Sequence, residues 1–155
     1  MMKQTFGILF STGLIILAGC TRQTEVMNAA PINLDASIAQ AGAEHKIVLM
    51  DFTGSDWCAP CMALHHDILA RPEFEAYAQS NLVFLTVDFP RDYQLPPDSA
   101  ATNDWLSKKF DVEGFPTLIA LDSHGNKIWQ QVGLEPGYSL KKFIATLDAV
   151  KAKAK

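Results

Sequence analysis

Hydrophobic positions along the chain form two kinds of pattern, short apolar runs and stripes with helical spacing. Two predominantly apolar runs, Ile47 to Phe52 and Leu82 to Val87, are each bounded by polar or turn-forming residues. Runs of this length and composition predict strands that are buried on both faces of a sheet. Two further strands are predicted from Pro116 to Asp122 and from Lys127 to Val132, and the short turn between them predicts an antiparallel hairpin.

Helical spacing of apolar residues predicts the segments between and after these strands. A first helix is predicted from Leu34 to about Glu44, and a second from Cys58 to about Leu69 with a short further piece starting at Pro72. Ser99 is expected to cap a helix that ends near Phe110, and Ser139 to cap the last helix. This order of elements predicts an α/β domain in which a central mixed sheet is flanked by helices on both faces.

The segment from Phe89 to Asp98 contains three prolines and predicts a loop. We interpret it as a rigid surface connection, with a partner-binding insertion as the alternative. Trp105 and Trp129 fall in periodic segments, and we expect both to pack in the core or on a face of the sheet.

The N-terminal segment has the length and composition of an export signal. Lys3 precedes an apolar stretch from Phe6 to Ala18, which ends in Leu17-Ala18-Gly19-Cys20. This ending resembles the lipobox of bacterial lipoproteins, in which the signal is cut before the cysteine and the thiol carries lipid. We therefore expect a lipoprotein signal peptide at 1–19, a tether at 20–33 and the folded domain at 34–155. An ordinary secretory signal or an uncleaved anchor is the alternative.

Composition and charge narrow the classes of protein further. The chain has 155 residues, of which 48% are hydrophobic and 19% charged, and its formal net charge is −4. This profile predicts one folded domain and lacks the basic footprint that nucleic acid or an anionic membrane surface would require. The apolar stretches are shorter than the roughly 18 to 20 residues that span a bilayer. Neither nucleic-acid binding nor a transmembrane chain is expected.

The cysteines carry the candidate chemistry. Three cysteines are present, and lipidation of Cys20 would leave Cys58 and Cys61 as a pair. In Trp57-Cys58-Ala59-Pro60-Cys61 the two thiols lie three residues apart where a strand meets a helix, so they can close a small disulfide ring. The helix N-terminus favours a thiolate, and we expect Cys58 to be the nucleophile and Cys61 the resolving thiol. Ala59 and Pro60 form the loop between them, and Pro60 stiffens it.

Three features in this order resemble the thioredoxin superfamily over roughly residues 47 to 150. They are the strand Val48-Leu49-Met50-Asp51-Phe52, the motif that contains the cysteine pair, and Gly114-Phe115-Pro116-Thr117 about 55 residues after the motif. With Asp67-Ile68-Leu69 and Pro72-Glu73-Phe74, the chain looks most like the periplasmic thioredoxin-like domain of the reductant conductor DsbD and related lipid-anchored thioredoxins. The resemblance implies the thioredoxin fold and thiol:disulfide exchange.

The resemblance also implies roles for individual residues. Pro116 is expected to follow a cis peptide bond and to face the cysteine pair, and the backbone of Phe115 to bind an extended polypeptide. Asp51 matches the buried acid that exchanges a proton with the resolving cysteine, and burial would raise its pKa. Trp57 is expected to shield the disulfide and to contact partners.

Two departures from the family pattern concern this acid. One additional residue lies between Asp51 and Cys58, which puts the alignment of Asp51 under the cysteines in doubt. Phe84 stands where many thioredoxins have a lysine that pairs with the acid. Asp56, beside the thiols, is interpreted as a solvated loop charge that disfavours the thiolate, with a substitute acid as the alternative.

The resemblance predicts an extracytoplasmic thiol:disulfide oxidoreductase, with reduction as the favoured direction. The expected partners are cysteine-containing exported proteins, a thiol redox donor in the membrane or periplasm, and the membrane itself through the lipid anchor. No cofactor is expected. The periplasmic side of a bacterial membrane is the expected location, and Thr21 after Cys20 favours the outer over the inner membrane by family analogy.

A membrane-tethered module that binds copper or a partner protein is the alternative from another class. Cys58, Cys61 and His65 fall on neighbouring helical turns, and soft thiolates suit Cu(I). A closed zinc site needs four ligands, and the sequence has no second C-x-x-C pair. We therefore expect no metal here and interpret His65 and His66 as surface residues.

Overall fold

The structure, a computed structural model, describes residues 30–135 and 137–154. The described residues form one four-stranded sheet and the helices packed on it. The strands are β1 (Ile47–Thr53), β2 (Leu82–Asp88), β3 (Thr117–Leu121) and β4 (Lys127–Val132). The α-helices are α1 (Leu34–Ala43), α2 (Ala59–Leu64), α3 (Pro72–Asn81), α4 (Pro97–Lys109) and α5 (Leu140–Lys151), and a π-helical turn, His65–Leu69, continues α2.

The sheet is mixed, with the strand order β2-β1-β3-β4. β1 runs parallel to β2 and antiparallel to β3, and β3 and β4 form an antiparallel hairpin. The pairing of β1 with β2 runs from Ile47 opposite Leu82 to Thr53 opposite Asp88, so both strands end at the same edge of the sheet. The predicted mixed sheet and hairpin are confirmed.

Alternate side chains of β1 enter two separate cores, because successive residues of a strand point to opposite faces. Ile47 and Leu49 pack in the core that also contains residues of α2, α3 and α5. Val48 and Met50 pack in the core that contains residues of α1 and α4. This two-residue period places Asp51 on the same face as Leu49, which is the face covered by α2.

The second helix reaches Leu69, as the spacing predicts, but its last turn is π-helical. The N–H of Ala70 donates to the carbonyl of His65, five residues earlier, at 2.8 Å. The wider turn keeps Ile68 and Leu69 buried, with 3% and 7% of their surface exposed. Turns of this kind inside helices are frequent at functional sites.

The predicted start of the fourth helix at Ser99 is wrong. α4 begins at Pro97, and Pro96 is its N-cap residue with extended backbone angles. Proline is well suited to a first helical turn because its φ angle is already helical and that turn does not need its missing N–H. Ser99 lies buried inside the first turn instead of capping it.

The expectation that Trp105 packs in the core is also wrong, because 51% of its surface is exposed. The buried stripe of α4 consists of Ser99, Asn103 and Leu106, whose helical spacing turns Trp105 outward. The ammonium of Lys109 lies 5.2 Å from the Trp105 ring centroid. Trp129 is half-buried on β4 and packs against the core that contains Phe143, as expected.

The predicted signal peptide and the lipidation residue Cys20 lie outside the described residues, as does most of the predicted tether. Its last residue, Asn33, caps α1 by accepting the N–H of Ala36 at 3.0 Å. None of the helices in residues 30–135 and 137–154 is long and apolar enough to cross a membrane.

Candidate active site

Cys58 and Cys61 form a disulfide at the start of α2, with their Cα atoms 5.2 Å apart. Cys58 is the N-cap residue of α2, and its sulfur accepts the backbone N–H of Cys61 at 3.3 Å. Ala59 and Pro60, between them, are exposed. A backbone N–H aimed at the Cys58 sulfur, together with the helix dipole, favours a thiolate at this atom after reduction.

Trp57, the residue before Cys58, contacts three other parts of the chain. Its ring packs edge-on against Phe115 with 5.8 Å between centroids. Its indole N–H donates to the carbonyl of Phe89 at 2.7 Å, and the guanidinium of Arg91 lies 3.7 Å from the ring centroid. A Cβ at Gly54 would overlap the indole ring, so the close approach of Trp57 to the backbone requires glycine there.

The second motif also has the expected backbone conformation, since the Phe115–Pro116 peptide bond is cis. The hydroxyl of Thr117 donates to the carbonyl of Gly114 at 2.7 Å and closes the turn around this bond. The Phe115 ring stacks on Phe89 at 5.1 Å. Phe115 therefore connects the proline motif both to the cysteine motif, through Trp57, and to the loop after β2. The binding roles of Phe115, Pro116 and Trp57 stay predictions.

Asp51 is buried beneath α2, with 5% of its surface exposed. It lines a cavity of about 460 Å³ together with Cys61, Met62 and His65. Within the described part of the chain, its Oδ1 has no hydrogen-bond partner. Burial and, to a smaller extent, the negative charge of Asp88 together raise the pKa of Asp51 to about 7. The additional residue before Cys58 therefore does not separate this acid from the cysteine pair.

Phe84 lies on the same face of the sheet as Asp51. Asp51 is paired with Thr86 of β2, and Phe84, two residues earlier on that strand, lines the same cavity. The phenyl ring cannot form the ion pair that a lysine would form with the acid. Asp51 is thus buried against an apolar side chain on this side, which favours its protonated form.

Three residues that the sequence reasoning missed form the mouth of this cavity. The Asp88 carboxylate accepts the backbone N–H and the hydroxyl of Ser55 at 2.9 and 2.6 Å, and the hydroxyl of Tyr93 at 2.6 Å. All three residues line the cavity that contains Asp51 and Cys61. One signal in the sequence could have identified Asp88: it ends the second of two parallel strands, and parallel strands end at a common edge of the sheet.

Asp56 is a loop charge, as the sequence suggested, but its carboxylate also binds backbone N–H groups of another loop. Its carboxylate accepts the backbone N–H of Arg91 at 2.9 Å and that of Asp92 at 2.6 Å. Asp56 thereby fixes the loop after β2 to the cysteine motif. The interpretation of residues 89–98 as a surface connection alone therefore misses their contacts with the candidate site.

His65 and His66 are exposed, as expected for surface residues. His65 borders the cavity of Asp51, whereas His66 Nδ1 lies 2.7 Å from the carboxylate of its neighbour Asp67. In the part of the chain that the structure describes, no group of three or more His, Cys, Asp or Glu side chains is arranged to hold a metal ion.

Comparisons with known proteins agree with this architecture. A family model described as a thioredoxin-like domain matches residues 34–150. The chain is similar to the disulfide bond reductase DsbH of Chlamydia pneumoniae, with 32% identity over 119 residues that cover 75% of this chain and 71% of that protein. It is also 31% identical over 97 residues to the thiol:disulfide interchange protein DsbD 2 of Pseudomonas aeruginosa, covering 63% of this chain but 15% of that protein.

A solved structure of a DsbH oxidoreductase is similar in three dimensions. It superposes with a TM-score of 0.70 and 27% sequence identity, over 86% of this chain and 93% of the other.

Proposed function

This chain belongs to the thioredoxin-like domain family, has the thioredoxin fold and is a thiol-disulfide oxidoreductase, and from that premise we propose that it reduces disulfides of exported proteins outside the cytoplasm. The observation that carries the proposal is the Cys58–Cys61 disulfide, located at a helix start beside a cavity that contains a buried acid.

The first step uses the reduced pair. The Cys58 thiolate, favoured by the N–H of Cys61 and by the helix dipole, attacks one sulfur of a substrate disulfide. A mixed disulfide forms between Cys58 and the substrate, and the substrate disulfide breaks. The released substrate thiolate takes a proton from water.

The second step resolves the mixed disulfide. Asp51, in its ionised form, takes the proton of the Cys61 thiol, and the Cys61 sulfur attacks the Cys58 sulfur. The Cys58–Cys61 bond forms, the bond to the substrate breaks, and the second substrate thiolate leaves. Two electrons pass from the pair to the substrate. A pKa near 7 lets Asp51 accept the proton at neutral pH and release it afterwards.

Substrate docking is assigned to the surface around Trp57, Phe115 and Pro116. The edge-on contact between the Trp57 and Phe115 rings joins the cysteine motif to the proline motif. An extended polypeptide lying along Phe115 would bring its disulfide to Cys58. Exposed Ala59 and Pro60 leave the helix start open to such a partner.

Reduction is proposed over oxidation because of the similarity to a protein named as a disulfide bond reductase. A glutathione titration measures the reduction potential of the Cys58–Cys61 couple and so tests the direction of electron flow. Reductants of this fold have reduction potentials of about −270 mV, and oxidants of about −120 mV. A potential near the second value would contradict the reductase assignment while leaving the oxidoreductase activity intact. Such a reductase also needs a thiol redox donor in the membrane or periplasm.

Exchange through Cys58 is tested with insulin reduction. Cys58→Ala is expected to abolish it. Cys61→Ser is expected to retain the first step and to accumulate mixed disulfides with substrate proteins, detectable on non-reducing gels. Full insulin reduction by Cys58→Ala would refute the mechanism. Ala63→Ser, at an exposed position of the same helix that does not line the cavity of Asp51, is the matched control and should retain activity.

Location outside the cytoplasm is proposed from the N-terminal sequence. Leu17-Ala18-Gly19-Cys20 supports lipidation at Cys20, and Thr21 favours the outer membrane. Several acyl chains would hold the domain firmly on the membrane. Membrane fractionation after labelling with a fatty-acid analogue tests this, since Cys20→Ala should lose the label and move to the soluble fraction. Unchanged labelling of Cys20→Ala would refute the anchor.

A further inference from the structure

The cavity under α2 contains a second acid that the mechanism above does not use. Asp88 is the last residue of β2 and is paired with Thr53, two residues beyond Asp51 on β1. Both carboxylates line the same cavity of about 460 Å³, which also contains the resolving Cys61. Two acids that share one cavity repel each other when both are ionised.

The Asp88 carboxylate is held in place on several sides. Ser55 donates both its backbone N–H and its hydroxyl, at 2.9 and 2.6 Å, and the Tyr93 hydroxyl donates at 2.6 Å. The hydrogen bond to Asp88 raises the pKa of Tyr93, so its hydroxyl remains a donor. The side-chain amide of Asn103 on α4 donates to the Asp88 carbonyl at 2.9 Å, which fixes the backbone as well. An ionised carboxylate accepts hydrogen bonds only, and the donors around Asp88 match that form.

We propose that Asp88 is a positioning residue for the exchange reaction: Ser55 and Tyr93 hold its carboxylate in the cavity that contains Asp51 and Cys61, where its negative charge acts on the proton transfer between them. The proposal rests on the proposed function, in which Asp51 takes the proton of Cys61. Burial of Asp51 and the charge of Asp88 together keep a proton on Asp51 up to about neutral pH.

Other titratable groups face this pair of acids from the surrounding elements. His65 on the π-helical turn and Tyr93 on the loop after β2 line the cavity of Asp51, and Cys61 on α2 joins them as a titratable group only when the disulfide is reduced. Asp104 on α4 lies across an adjoining cavity that it shares with Asp88 and Tyr93. Within the described residues, Asp88 is the charged group whose interaction with Asp51 reinforces the effect of burial.

The direct test is an NMR titration of the Asp51 carboxyl carbon in the oxidised, full-length protein. Asp88→Asn removes the charge but keeps an oxygen that can accept from Ser55. The pKa of Asp51 is expected to fall by about one unit. If Asp88→Asn folds poorly, Asp88→Thr is the substitute: it also removes the charge, its side chain is well suited to a strand, and it should give the same shift in the Asp51 pKa. Asp88→Glu keeps the charge and should leave the Asp51 pKa raised.

Asp56→Asn is the matched control. It removes a neighbouring carboxylate that fixes the same loop but does not line the cavity of Asp51. A purely structural role of Asp88 predicts the same Asp51 pKa in Asp88→Asn, Asp56→Asn and wild type. That result, or a raised pKa in Asp88→Asn, would overturn the proposal.

Rapid-mixing kinetics of the resolving step separate this inference from the proposed function. The rate should rise with pH as Asp51 ionises, and in Asp88→Asn this rise should move to lower pH by the shift seen in the titration. If Asp51→Asn leaves the pH profile unchanged, the proton-transfer role of Asp51 fails. If Asp51→Asn changes the profile and Asp88→Asn does not, the positioning role of Asp88 fails.

Discussion

The indole N–H of Trp57 donates a hydrogen bond of 2.7 Å to the backbone carbonyl of Phe89. This bond joins the residue before Cys58 to the loop after β2, and the carboxylate of Asp56 joins the same two segments through Arg91 and Asp92. The loop after β2 is therefore one wall of the candidate active site. The orientation of the Trp57 ring depends on this wall.

Gly54→Ala is expected to displace Trp57. A Cβ at this position would overlap the indole ring, so either the ring or the backbone must shift. We expect a loss of about 1 to 3 kcal/mol in the free energy of unfolding, measured with urea. The indole N–H resonance of Trp57 should also shift, because its bond to Phe89 is weakened.

Gly114→Ala is the matched control for this substitution. A Cβ at Gly114 would meet no heavy atom within 4 Å, and the change in stability should stay within about 0.5 kcal/mol. Equal stability losses in the two alanine variants would contradict the close contact between Gly54 and Trp57.

Asp56→Ala is expected to loosen the loop after β2. The N–H groups of Arg91 and Asp92 lose their acceptor, so their hydrogen exchange should become faster, while exchange of the Leu49 amide in β1 should not change. Hydrogen exchange followed by NMR measures this. Glu113→Ala removes an exposed loop carboxylate and serves as control. Unchanged protection of Arg91 and Asp92 would show that the carboxylate does not fix the loop.

Asp51→Asn is expected to stabilise the oxidised protein at alkaline pH. The pKa of Asp51 is raised from 3.8 to about 7 in the folded state, so the unfolded chain loses this proton at lower pH than the folded chain. The free energy of unfolding of the wild type should therefore fall between about pH 4 and pH 7 and stay low above it, by about 4 kcal/mol in total. The asparagine variant should lack this decrease.

Urea unfolding of both proteins across this pH range provides the measurement. Below about pH 4, Asp51 carries its proton in both the folded and the unfolded chain, so its raised pKa does not lower the wild-type stability there. The full decrease is reached above about pH 7, where Asp51 has lost its proton in both states. A pH dependence of unfolding that is identical in wild type and Asp51→Asn would contradict a raised pKa at this residue.

Asp122→Ala is expected to weaken the hairpin of β3 and β4. The Asp122 carboxylate accepts the backbone N–H of His124 at 2.8 Å and of Asn126 at 2.9 Å, and the side-chain amide of Asn126 at 2.9 Å. Loss of these bonds should cost about 1 to 3 kcal/mol in the free energy of unfolding. Asp122→Asn keeps an acceptor oxygen and should cost less. Equal costs for alanine and asparagine would show that the hydrogen bonds contribute little.

Local patterns predicted most of the elements and the central chemistry. The apolar run of β1 predicted a strand buried on both faces, and every residue of β1 is buried. The run of β2 correctly predicted a strand, but its predicted burial on both faces is wrong: β2 is an edge strand on which Phe84 and Leu85 are half-buried and Thr86 is exposed. The spacing of Cys58 and Cys61 at a helix start was sufficient to predict a disulfide between neighbours in sequence. The N-cap of α4 was placed three residues late, at Ser99 and not at Pro96, because prolines at positions 96 and 97 were assigned to the loop, although a first helical turn accepts proline.

Contacts between distant segments were decided by the tertiary structure alone. Asp88 meets Ser55 across a separation of 33 residues, and Trp57 meets Phe89 across 32. Such pairs depend on the register of β1 against β2 and on the path of the loop that follows, and no periodicity encodes either. Trp105 shows the same limit, because its exposure depends on which face of α4 the sheet covers.

The sequence by itself determined that two neighbouring thiols lie where a buried strand gives way to a helix, since residue spacing and local backbone preferences act over a few residues. Only the tertiary structure decided which acids, aromatic rings and loop amides surround those thiols. The burial of Asp51, the charge of Asp88 beside it and the wall formed by Phe89 arise where chain segments far apart in sequence pack together.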